Sequence, residues 1–301
     1  MQPRRSGCAG RTAPPARLGG GRRLVNHLTD SSLLTNPRES LMSIKTATLN
    51  GVATIEIARP EKKNALTVAM YQAMSEALQA AKTDNAVRAV LITGQPGIFT
   101  SGNDIQDFMT RGTAQADGVS DPLDSPVFRF MRALLECDKP VVAAVTGAAI
   151  GIGTTLLLHC DFVYVSDEAR LAMPFVSLGL VPEFASSLVL PQLMGHRRAA
   201  EKLLLGDPFT GEQAVECGIA SAVLPAAEVV NHARRVAERF NGLPPGAVRQ
   251  AKRLLRGPQH ESILQTIRSE SEIFASRLRS PEAMEAFQAF FQKRKPDFSK
   301  F

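Results

Sequence analysis

Tryptophan is absent from the 301 residues and only two tyrosines are present. With no aromatics threaded through a basic run, the chain lacks the stacking and electrostatic footprint of a nucleic-acid binder. Cysteine is sparse too. Cys8, Cys137, Cys160 and Cys217 stand far apart with no C-x-x-C pair, so neither a zinc site nor a disulfide framework is signalled, and a reducing, intracellular setting is the expectation. No G-x-x-x-x-G-K-[ST] phosphate loop occurs, Ser101 has no G-x-S-x-G elbow around it, and no signal-peptide core is found. Gly151-x-Gly153 runs on to Leu156 where a dinucleotide fingerprint needs glycine, and no carboxylate stands about 20 positions further to hold a ribose. No metal site is expected.

The net charge of +6 is confined almost entirely to residues 1–41, which hold seven Arg, no Lys, and only Asp30 and Glu39. The remaining residues carry 28 basic and 27 acidic side chains. Residues 1–41 are rich in Arg, Gly and Pro and too poor in apolar residues to fold alone. They read either as a disordered extension ahead of Met42 as the natural start, or as a targeting segment, although Pro14-Pro15 and Gly19 to Gly21 would break an amphipathic helix.

From 42 onward the chain has an ordinary globular composition, with 44% hydrophobic and 21% charged residues overall. Asn50-Gly51 between 46–49 and 52–57 predicts a β-hairpin. Thr67 caps a predicted helix with an apolar stripe at Met70, Met74, Leu78 and Ala81, and a strand follows over 87–93. Between Lys139 and Asp161 no residue is formally charged. Three glycines and three threonines interrupt the run, so it reads as a strand over 141–145, a glycine turn and a helix over 152–159 rather than a membrane span. Further strands are predicted over 162–165 and 171–173 and a helix over 186–194. The recurrence has no exact period, which suggests a spiral of strand-strand-helix units. After about 196 the strands are expected to stop. Helices are predicted over 196–205, from the Thr210-x-x-Gln213 capping box, and over 226–240, 247–255, 262–278 and 281–293. The expected organisation is an α/β core over 42–241 and a helical region over 242–301.

Two glycine-punctuated strand ends can bare backbone amides: the string Phe99-Thr100-Ser101-Gly102-Asn103-Asp104, and 147–153 opening a helix. If the two turns are neighbours, the N–H groups of Ser101 and Ile152 can share one oxygen, the second helped by a helix dipole. Tight turns alone would use the same glycines. Glu183, flanked by Leu180, Val181, Pro182 and Phe184, reads either as a carboxylate with a raised pKa or as a surface loop residue after proline. His159 reads as a core histidine, and Asp167 and Glu168 as a solvated turn.

The 99–104 string, Lys139-Pro-Val-Val-Ala-Ala-Val-Thr-Gly147, Cys160-Asp161, Arg59-Pro60-x-x-x-Asn64-Ala65-Leu66 and the terminal Lys293-Arg294-Lys295-Pro296-Asp297-Phe298 together resemble the crotonase superfamily of enoyl-CoA hydratases and isomerases, from about residue 44 to the end. The resemblance implies an α/β fold, a crotonase-like spiral of ββα units with a helical C-terminal trimerisation region, and a homotrimer or dimer of trimers. It also implies an acyl-CoA thioester substrate with its carbonyl on the Ser101 and Ile152 amides, and no cofactor, coenzyme A being part of the substrate. The two hydratase glutamate positions match Thr155 and Phe175, while Glu183 is similar to the single catalytic glutamate of peroxisomal-type Δ3,Δ2-enoyl-CoA isomerases. By the same resemblance Lys63, Ala65, Leu66, Ser101, Gly102, Asn103, Asp104 and Ile105 line the CoA and pantetheine path, Lys293 reaches a phosphate, and 106–126 forms a wall of the acyl pocket. An isomerase of fatty-acid β-oxidation is the first expectation. A hydratase or thioester hydrolase is the second, and a non-catalytic CoA- or RNA-binding relative the third. The ending Ser299-Lys300-Phe301 lacks the Leu of a peroxisomal address, so a cytoplasmic location is expected, with neither nucleic acid nor membrane as partner.

Overall fold

The computed structural model describes residues 43–112 and 124–301. The Arg-rich segment 1–41 and most of the predicted pocket wall at 106–126 lie outside them. The described chain opens with β1 (Ile44–Leu49) and β2 (Val52–Ile57), an antiparallel hairpin whose Asn50 and Gly51 take φ of 49° and 71°. Helix α1 (Val68–Thr83) starts where the Thr67 side chain accepts the Met70 N–H, and it buries Met70, Tyr71, Met74, Leu78 and Ala81. Burial of each large side chain on that stripe contributes about 1.5–3 kcal/mol. Then come β3 (Ala89–Thr93), β4 (Ile98–Thr100), α2 (Ile105–Gly112) and α3 (Pro126–Leu135). Next are β5 (Val141–Val145), β6 (Ala148–Ile150), α4 (Ile152–Thr155) with a 3₁₀ turn over Leu156–His159, β7 (Phe162–Ser166) and β8 (Arg170–Ala172).

Successive strand pairs split between two sheets. The first has the order β1-β2-β3-β5-β7 and the second contains β4-β6-β8, so each pair adds one strand to each sheet beside the previous one. Within this run every neighbour after the hairpin is parallel. The result is the spiral that the unequal repeat predicts. Parallel strands covered on both faces need apolar residues throughout, and all five residues of β5 are buried. Val141, Ala143 and Val145 face the main core, while Val142 and Ala144 face a second cluster.

The chain continues through α5 (Ser186–Met194), α6 (His196–Ala200), β9 (Phe209–Thr210), α7 (Gly211–Glu216), β10 (Ala222–Leu224), α8 (Ala226–Glu238), α9 (Pro245–Arg277) and α10 (Pro281–Phe291). The capping box at Thr210 and Gln213 forms in full. Two expectations need correction. Strands do not stop at 196, because β9 pairs with β8 and β10 with β7, closing an edge of each sheet with runs too short to show alternation. The helices expected at 247–255 and 262–278 are one 33-residue helix that passes through Gly257 and Pro258. An interior proline costs about 3 kcal/mol, and anchors on both sides offset it. Lys252 meets Asp161 at 2.6 Å and Arg256 meets Asp161 at 3.2 Å before the proline, while Ile263 and Ile267 are buried after it. Helix α8 lays Val229, Ala233 and Ala237 over the second cluster. Among the described residues, no helix is long and apolar enough to cross a membrane.

Candidate active site

The parallel pairing of β4 with β6 sets Thr100 beside Ala149, which brings the two glycine turns side by side at the carboxyl ends of their strands. Gly102 has φ of 90°, and a Cβ there would stand 3.0 Å from the Ile150 carbonyl oxygen, so the turn needs glycine both for its backbone and for the close approach. Asn64 ties the turn down from below. Its buried Nδ2 donates to the carbonyls of Ile57 at 3.0 Å and Phe99 at 3.0 Å, and its Oδ1 accepts the Arg59 N–H at 2.7 Å.

The expected donor Ser101 is not bare. Its N–H is spent on the Lys63 carbonyl at 3.1 Å, and the Gly102 N–H on Thr100 Oγ1 at 3.1 Å. Asn103 is next, its own bridge to Leu66 made by the flanking Gly102 carbonyl and Asp104 N–H. Among the described residues no acceptor takes the Asn103 amide. The pairing of Lys63 with Ser101 shifts the open amide two residues along, which a linear motif does not reveal. On the facing turn Ile152 is the first residue of α4, where a helix has no internal acceptor for the N–H. Ser101, Gly102, Asn103, Ile105, Gly151 and Ile152 all line a narrow cleft of about 90 Å³, whose apolar side is made by Phe175, Leu178, Leu180, Phe274, Leu278 and Phe287.

The remaining expected contact residues divide. Leu66 is fully buried in the core and does not line the cleft. Asp104 is committed elsewhere: Oδ2 pairs with Arg59 at 2.8 Å and Oδ1 accepts the Gln106 and Asp107 N–H groups, capping α2. Lys63 is exposed and Ala65 half-buried, and Lys293 is exposed just past α10; none of the three lines the cleft.

Glu183 is not a surface residue. It is 6% exposed, and burial pushes its carboxyl up to about 8, with the Glu270 charge adding to the rise and a hydrogen bond from Thr155 opposing it. Thr155 Oγ1 donates to Glu183 Oε1 at 3.1 Å, one helical turn after Ile152, so the carboxyl lies beside the short helix whose first amide opens on the cleft. Tyr71 lies beside Asn103. Its hydroxyl donates to Asn103 Oδ1, and burial together with the nearby Glu183 charge raises its own pKa well above the ordinary value. Behind Glu183 the backbone is strained: Phe184 and Ala185 both take φ of 56°, at a cost of about 1–2 kcal/mol each for residues with a Cβ. His159 supports the turn as a core residue. Its Nε2–H donates to the Phe184 carbonyl at 2.8 Å, its ring stacks on Phe184 at 4.0 Å, and burial lowers its pKa to about 3. Among the described residues no cluster of His, Cys, Asp and Glu is placed to hold a metal.

Sequence reasoning missed Tyr71 and Glu270. Tyr71 hides inside the α1 stripe. Glu270 had a readable signal, for it stands at helical spacing from Ile263 and Ile267 on an apolar face where a carboxylate is out of place.

Comparison with known proteins decides the family. Residues 47–300 match the family described as enoyl-CoA hydratase/isomerase. The chain belongs to that family. A rat enoyl-CoA delta isomerase 2 is 34% identical over 81% of the chain, which spans only 62% of that relative's length. A probable enoyl-CoA hydratase of Bacillus subtilis is 31% identical over 82% of the chain and 95% of its own. Among solved structures, Pseudomonas aeruginosa OdaA is 54% identical over 82% of the chain and 98% of its own, with a TM-score of 0.78. The crotonase fold is thus shared over 82% of the chain, and membership implies an enzyme acting on a CoA thioester.

Proposed function

We propose that the protein isomerises 3-enoyl-CoA to 2-trans-enoyl-CoA, with Glu183 as its single base and acid. The thioester oxygen rests on the N–H groups of Asn103 and Ile152. Glu183 takes a proton from C2, the C2 electrons delocalise onto that oxygen as an enolate, and the double bond moves as the same carboxyl returns the proton to C4. A group with a value near 8 is suited to both steps, because its two forms are close in free energy at the working pH. The carrying observation is that one buried carboxylate meets Thr155, while the two positions given to glutamate in hydratases by resemblance hold Thr155 and Phe175. Addition of water ordinarily needs a second carboxylate to place it, and Phe175 presents an apolar ring to the cleft instead.

The test is to give the full-length protein 3-hexenoyl-CoA and, separately, trans-2-hexenoyl-CoA, and to read the products by mass spectrometry and proton NMR. Conversion of the first to the 2-trans isomer without change of mass is expected. Gain of one water by the second, faster than isomerisation of the first, would make the protein a hydratase.

A further inference from the structure

Glu270 is a carboxylate with almost no water around it, 7% exposed on the apolar face of α9. A buried charge persists only where hydrogen bonds replace its hydration, and all of its described hydrogen bonds go to one place. Oε2 accepts the Ala185 N–H at 2.6 Å, and Oε1 accepts both the Ser187 N–H at 3.1 Å and the Ser187 hydroxyl at 2.5 Å. These donors surround the start of α5, whose cap position is Ala185, a residue with no side chain able to cap. Glu270 therefore supplies, from 85 residues away, the capping oxygen that a local Ser or Asp supplies elsewhere.

The capped turn is the one that carries Glu183. Two left-handed residues in succession persist only where the surroundings hold them; here Ser186 closes the turn locally, its N–H and hydroxyl both donating to the Glu183 carbonyl at 3.1 and 2.7 Å, and the holds from outside the turn are the Glu270 carboxylate on Ala185 and His159 on the Phe184 carbonyl. Relaxation of either φ would rotate Glu183 away from Thr155.

We propose that Glu270 is a positioning residue for Glu183: by fixing the left-handed turn at Phe184 and Ala185 it aims the Glu183 carboxyl at the reacting carbon. The proposal rests on the reading of Glu183 as the base. Glu270 also presents a negative charge to Glu183. The other ionisable groups around the pair are Tyr71 from α1 and His159 behind Phe184, with Arg256 beyond His159. Among the described residues neither Lys nor Arg acts on Glu270 itself.

The experiment compares full-length wild type, E183Q, E270Q and E270A on the 3-enoyl-CoA, measuring kcat, KM and the pH profile of kcat. E270A is expected to lower kcat by about a hundredfold, the usual penalty for a catalytic group displaced by ~1 Å, with KM changed by less than about threefold. E270Q keeps one acceptor oxygen, so it recovers part of that loss. Having lost the charge, it moves the acid limb of the profile down by about 0.5 on the pH scale. A role in packing alone would leave the limb in place. An unmoved limb in E270Q, or E270A turnover within about threefold of wild type, overturns the proposal. If E270A does not fold, the limb of E270Q decides. Wild-type turnover in E183Q would defeat the reading of Glu183 as the base. An inactive E183Q beside an unshifted E270Q would defeat only the role of Glu270.

Discussion

The two turns after β4 and β6 and the turn after Pro182 all belong to the proposed site, but the first two and the third are made in opposite ways. The glycine turns offer backbone N–H groups, are set side by side by the β4–β6 pairing with the first tied down by Lys63, Asn64 and Leu66, and tolerate their positive φ because glycine has no Cβ. The Glu183 turn offers a side chain, places residues with a Cβ in the left-handed region, and is held by groups brought from α4, α9 and the His159 turn. Electrostatic stabilisation by amides needs backbone N–H groups that no other carbonyl claims. A proton shuttle needs burial, and burial must come from elsewhere in the chain.

Substitutions sharpen this contrast. The largest effect belongs to Glu183: E183Q should lower kcat by at least about a hundredfold, the scale of general acid-base catalysis, read as initial rates of 3-enoyl-CoA conversion. Near-normal rates would assign the chemistry to the amide turns alone. Stability should respond to the same group. Glu183 holds its proton more tightly in the folded chain, at about 8 against 4.5 for the ordinary carboxyl. The stability it contributes is therefore full below pH 4.5 and is lost as the pH rises through 8. Glu270, also raised by burial, acts in the same direction. Thermal melts should show Tm falling over that window in wild type, with E183Q more stable by at least about 2 °C near pH 9. A parallel fall in both proteins would remove Glu183 as the cause.

Smaller effects separate the supports of the two turns. T155V removes a hydrogen bond that favours the ionised carboxyl, so the acid limb of kcat should move up by about 0.5 to 1 on the pH scale while kcat falls about tenfold or less. S101A should be nearly silent, within about threefold of wild type in kcat, because Ser101 uses its backbone and points that amide at Lys63. A large loss in S101A would mean that the Ser101 side chain, not merely its place in the turn, is used.

Much of this molecule is legible in order along the chain. The Asn50-Gly51 hairpin, the Thr67 cap, the α1 stripe, β5 and the capping box at Thr210 all depend on contacts within a few residues, and each forms as its local chemistry dictates. β9 and β10 were not legible, since two or three residues carry no period. Pro258 marks a break by local rules, yet α9 runs through it because ion pairs on one side and buried isoleucines on the other hold both halves. In the site, the glycines could be picked out by residue type, whereas for Glu183 residue type left two readings open and the family resemblance chose between them. The choice of Asn103 over Ser101 could be read in neither way, because it depends on which carbonyl across the fold claims each amide.

The sequence by itself determined the spiral of ββα units and the two glycine turns, because periodicity, capping and backbone freedom are short-range properties written in neighbouring residues; it pointed to Glu183 as the base only through the family resemblance. Only the tertiary structure decided which amides stay open, that Glu183 is buried beside Thr155, and that Glu270 holds its turn. Dielectric environment and hydrogen-bond competition depend on groups that the chain separates by up to 85 residues and the fold brings within 3 Å.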